Sequence, residues 1–71
     1  MSTAELGNRI KARRAERGMT QAQLAEAVGV TRKTVNTVEN RIFVPSTLLA
    51  LKIAQALGTS VDALFFLEQE A

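Results

Sequence analysis

The segment Gln21–Ile42, QAQLAEAVGVTRKTVNTVENRI, leaves a short chain little choice of fold. Its apolar residues recur at helical spacing, about 100° per residue, in two runs separated by Gly29. The first run brings Leu24, Ala25 and Val28 to one face, and the second does the same for Val35, Val38 and Ile42. On the second helix, Lys33, Asn36, Thr37 and Asn40 lie roughly opposite the apolar side, with Arg32 on the flank. A helix patterned in this way is gripped from behind and presents a polar front. An ordinary amphipathic surface helix has the same pattern, so the wheel by itself leaves its use open.

Caps and glycines predict five helices over a single domain, residues 1–71, and an all-α fold. The first is expected from near Thr3 to Arg17, stopped by Gly18. Thr20 followed by Gln23 is a capping box that starts the second, and Gly29 ends it. Thr31 caps the third, which fades at Asn40 and Arg41. A loop follows from Ile42 to Pro45. Ser46 or Thr47 caps a fourth helix, LLALKIAQAL, closed by Gly58; Ser60 caps a short fifth with Asp62 in its first turn. The last stretch, FFLEQEA, is the one segment that can also be read as extended.

Charge is distributed unevenly. All nine Lys and Arg residues lie at or before Lys52, against Glu5, Glu16, Glu26 and Glu39; beyond it come Asp62, Glu68 and Glu70 and no base. A basic body with an acidic end suits a polyanion, although plain solvated charge looks alike. Arg32 and Lys33 stand in the first turn of the third helix, where cations oppose the helix dipole. That placement is poor for stability and points to a negatively charged partner. There is no Cys, hence no disulfide or thiolate metal site, and no His or Tyr. No catalytic machinery, cofactor motif or metal-ligand cluster is visible, so no enzyme is expected. Neither a signal peptide nor an apolar run of about 20 residues is present, which leads us to expect a cytoplasmic chain with no membrane contact.

Several motifs in order carry a resemblance. They are R-x-x-R-G-M-T-Q-x-x-L-A-x-x-V-G-V at 14–30, T-R-x-T-V-N-x-V-E-N at 31–40, P-S-T-L-x-A-L-K-I-A-x-A-L-G at 45–58, and S-V-D-x-L-F after them. Residues 6–66 resemble the helix-turn-helix family of phage repressors, Cro proteins and Xre-type regulators. The resemblance implies a compact five-helix, lambda-repressor-like DNA-binding domain with its helix-turn-helix at 21–42. It implies that Arg32, Lys33, Asn36 and Thr37 reach base edges in double-stranded DNA. It also implies that Gln21, Thr31, Asn40 and Arg41 lie near the sugar-phosphate backbone. The chain departs from the best-known phage repressors in having Arg32-Lys33 where those often carry paired glutamines, so their operators do not transfer.

Two charges fall on inner faces. Leu6 and Ile10 set a stripe whose next member is Arg14, and Glu39 lies beside Val35. An unpaired charge there is costly, so pairing the two is the natural solution, and the resemblance implies the same bridge. Arg9, Arg13 and Arg17 form another stripe; Arg9 and Arg13 are candidate phosphate contacts or simply a solvated face. Closing the core takes Val61, Leu64 and Phe65, which leaves Phe66 and Leu67 as the expected contact of a homodimer, within the segment 61–71. Sequence-specific regulation of transcription, by a small repressor on a palindromic operator, is the leading expectation. An antitoxin-like component with an unidentified protein partner is the alternative.

Overall fold

A computed structural model describes residues 4–69. Five helices are present, as the caps predict: α1 Ile10–Glu16, α2 Gln21–Val28, α3 Arg32–Glu39, α4 Thr47–Ala56 and α5 Val61–Leu64. The chain is not wholly α-helical, however. Strand β1, Ala4–Asn8, pairs antiparallel with strand β2, Phe65–Gln69, so the two ends close into a small sheet. The extended reading of the C-terminal segment therefore holds over Phe65–Gln69. The long first helix does not: α1 begins only at Ile10, and the expected start at Thr3 lies outside the described residues.

Gly7 supplies one physical reason for the strand. Glycine weakens a helix interior by roughly 1 kcal/mol relative to Ala, whereas here it sits directly opposite Phe66 in the sheet. A Cβ at Gly7 would overlap the Phe66 ring, so the ring lies flat across a position that only glycine leaves open. Arg9 also lies over this ring, with its guanidinium carbon 4.7 Å from the centroid. Asn8 turns strand into helix: its Oδ1 accepts from the Ile10 N–H at 3.2 Å, and its Nδ2 donates to the Val38 carbonyl at 3.0 Å.

The helix starts follow the predicted chemistry. Thr20 and Gln23 form a complete capping box, and Thr31, Ser46 and Ser60 each accept from a backbone N–H of the first turn. Gly29, at φ 77°, makes the left-handed turn that separates α2 from α3. The core gathers Ile10, Leu24, Val28, Val35, Val38, Ile53, Leu57, Leu64 and Phe65 from all five helices and β2. Arg13, expected outside, closes α4 instead: Nε donates to the Leu57 carbonyl at 3.0 Å and Nη2 to the Gly58 carbonyl at 3.1 Å. These are carbonyls that a helix end leaves without intrahelical partners.

The C-terminus of α3 departs from expectation. Arg41 is the one non-glycine residue with positive φ among those described, at 62°. Its N–H donates to the Val38 carbonyl and the Ile42 N–H to the Thr37 carbonyl, the paired bonds of a Schellman turn. This reversal takes Ile42 off the helical period, and instead of joining Val35 and Val38 it is 77% exposed. Glycine is the usual occupant of such a position, because a Cβ there costs about 1–2 kcal/mol. Arg41→Gly is therefore expected to stabilise the fold by about 0.5–1 kcal/mol after loss of an exposed ion pair, read as a thermal midpoint several degrees higher.

Candidate nucleic-acid interface

The polar front of α3 is built on a fixed back. Thr31 Oγ1 accepts from the Thr34 N–H at 3.2 Å and sets the first turn. Val35 and Val38 are buried, which fixes which side of the helix faces out. Arg32 and Lys33 are exposed, and no acidic residue shares their turn. Among the described residues neither side chain has a hydrogen-bonding partner. Their charges add to the positive end of the α3 dipole instead of balancing it, so this end projects positive potential into solvent. Asn36 and Thr37 are half-buried on the same helix, and the Thr37 hydroxyl donates to the Thr34 carbonyl at 2.9 Å.

A charged network holds this helix against α1 and α2. Arg14 donates from Nε to Glu39 Oε2 at 2.6 Å and from Nη2 to Oε1 at 3.1 Å. The two side chains are 13% and 6% exposed. Gln21 Nε2 donates to the same Glu39 Oε1 at 3.0 Å, and Arg14 Nη1 to the Met19 carbonyl at 3.0 Å. The end of α3 is thereby tied to α1 and to the first residue of α2. Among the described residues no buried side-chain polar atom lacks a partner, which is the condition for a buried pair to be tolerated.

The residues expected near a phosphate backbone already hold intrachain partners. Gln21 bonds Glu39, Thr31 caps α3, and Asn40 Nδ2 donates to the Asn36 carbonyl at 2.9 Å. Arg41 forms an ion pair with Glu68 on β2. Gln21 nonetheless stands at the start of α2, where the first backbone N–H groups have no intrahelical acceptor and suit an anion. Two residues not expected on the front join it: Ile42, which the helical wheel set on the apolar side, and Phe43 share a depression of about 330 Å³ with Lys33, Thr34 and Thr37. No local signal marks them, because the left-handed Arg41 decides where they go. The two residues expected at a dimer contact differ in exposure. Phe66 is half-buried beside Gly7 and Arg9 in its own chain, whereas Leu67 is exposed.

Comparison with known proteins bears directly on this arrangement, since a helix-turn-helix family model matches residues 10–64. The chain belongs to the helix-turn-helix family of DNA-binding transcriptional regulators. An uncharacterised helix-turn-helix regulator of Bacillus subtilis, YgzD, is 48% identical over 63 residues, covering 89% of this chain and 96% of that protein. The immunity repressor of Bacillus phage phi105 is 41% identical over 59 residues, covering 83% of this chain and 41% of the repressor. Among solved structures, a candidate DNA-binding protein of Bacteroides fragilis superposes with a TM-score of 0.77 at 30% identity, covering 86% of this chain and 98% of that one. In helix-turn-helix terms α2 is the supporting helix and α3 the exposed one, and the family match spans α1 to α5 but not β1 or β2. Among the described residues no helix is long and apolar enough to cross a membrane.

Breaking the network tests how far the helix-turn-helix depends on it. Glu39→Ala leaves the largely buried Arg14 guanidinium without its counter-charge and should destabilise the fold by about 3 kcal/mol, measured by denaturant unfolding. An unchanged unfolding midpoint would show that the pair is dispensable.

Proposed function

We propose that this protein is a small dimeric repressor that occupies a palindromic operator, with α3 in the major groove of double-stranded DNA. The observation that carries this reading is the pair Arg32–Lys33. It is exposed and unpartnered at the dipole-opposing end of a helix whose back is buried and whose far end is pinned by Arg14–Glu39. Helix-turn-helix proteins contact base edges with the N-terminal residues of the second helix. Arg32 and Lys33 then donate to guanine O6 and N7, and Asn36 pairs with adenine. Thr37, its hydroxyl already committed to the helix, offers its methyl to thymine beside the apolar wall of Ile42 and Phe43. Gln21, Thr31, Asn40 and Arg41 flank this front and serve the phosphates, which position the helix without reading sequence.

The dimer contact is assigned to the outer stripe of α4. Leu48 and Leu51 are 63% and 54% exposed and line one groove with Lys52, Val61 and Asp62. An apolar centre with one base and one acid in the same groove is self-complementary in charge, as a two-fold contact between copies requires. Two such copies are expected to space their α3 helices about 34 Å apart, one turn of DNA.

Selection from a random duplex library should enrich a palindrome. Arg32→Ala and Lys33→Ala should each weaken binding to it by about 1–3 kcal/mol, with wild-type affinity falling steeply as salt rises. If both variants bind the selected site as tightly as wild type, the reading face is wrongly assigned. In sedimentation at micromolar concentration, Leu51→Glu should give monomers and Leu67→Glu should leave dimers. The reverse outcome would return the contact to the C-terminal strand.

A further inference from the structure

Glu68, in the acidic C-terminal segment, lies against the end of the helix-turn-helix. In the register of the sheet, Glu68 on β2 stands directly opposite Glu5 on β1. Like charges so placed repel across an antiparallel pair. The cation that relieves them is Arg41, whose guanidinium pairs with Glu68. Arg41 comes from the turn at the end of α3 and is held in a left-handed conformation that glycine would occupy without cost. A strained residue kept for its side chain is a sign of use, and a guanidinium engages carboxylate and phosphate with the same fork of donors.

We infer that Glu68, facing Glu5 across the sheet, acts as an internal stand-in for a DNA phosphate. It holds Arg41 in the free protein, and binding transfers Arg41 from Glu68 to the DNA backbone. This inference rests on the DNA-reading role proposed above. The contact is autoinhibitory: each binding event must first break it, so affinity is lowered for every sequence alike, because a phosphate contact carries no sequence information. Both side chains are half exposed (43% and 49%), so the exchange is fast and its effect modest.

The test uses the full chain with two duplexes, the selected palindrome and a random sequence, titrated at fixed salt by fluorescence anisotropy. Glu68→Gln should bind both duplexes about two- to fivefold more tightly than wild type, the size of one exposed ion pair. Arg41→Gly should bind both more weakly, with a salt slope shallower by about 0.9, one phosphate contact fewer. In the double variant the gain from Glu68→Gln should vanish. Unchanged or weaker binding by Glu68→Gln overturns the inference. So does an equal gain in the Arg41→Gly background, which would mark general acidic repulsion. Wild-type protein that binds neither duplex would instead remove the DNA reading itself, and thermal unfolding of each variant separates lost binding from lost fold.

Discussion

Arg14 and Glu39 make the contact on which the remaining geometry depends. At eight residues, α3 is too short to be stable alone, and only Val35 and Val38 are buried along it. Apolar burial of two valines fixes which side faces inward but not the angle or depth of the helix. The bidentate bridge supplies that, and Gln21 and the Met19 carbonyl complete the acceptors and donors around it. A charge pair of this kind tolerates no partial occupancy: each group is harmless only while all its partners are present. One network thus links α1, the start of α2 and the end of α3, and gives the exposed face of α3 a single orientation.

The two ends of α3 are built against local stability in opposite ways. At the start, Arg32 and Lys33 oppose the dipole and have no acidic partner among the described residues. At the finish, Arg41 occupies a turn that suits glycine and is drawn to an acidic strand. Neither arrangement helps the helix form, and both put cations on the same exposed element. Caps and core are consistent elsewhere, and the DNA-binding role proposed for these cations accounts for both departures. The small sheet brings the acidic C-terminal strand within reach of the basic surface, which makes the uneven charge along the chain a contact in space.

Much of this was legible because capping is local chemistry. Thr20 with Gln23, Thr31, Ser46 and Ser60 each declare a helix start within four residues, and Gly18, Gly29 and Gly58 mark the ends. The polar front of α3 follows from spacing alone. The sheet was half legible: FFLEQ reads as extended, but β1 reads as helix because its partner lies some sixty positions away. Arg13 and Asn8 were misjudged or missed for the same reason. Their partners, the carbonyls of Leu57, Gly58 and Val38, are set by packing and carry no signature near either residue.

Sequence alone therefore determined the number of helices, the caps of α2 to α5, the glycine turn at Gly29 and the polar row Arg32, Lys33, Asn36 and Thr37, since each depends on neighbours within one or two helical turns. Tertiary structure decided the closure of the two chain ends, the placing of Phe66 over Gly7, and the exposure of Ile42. It also decided that Arg41 faces Glu68. Those depend on which distant backbone groups and charges are left without partners once the helices pack, and no periodicity along the chain encodes that.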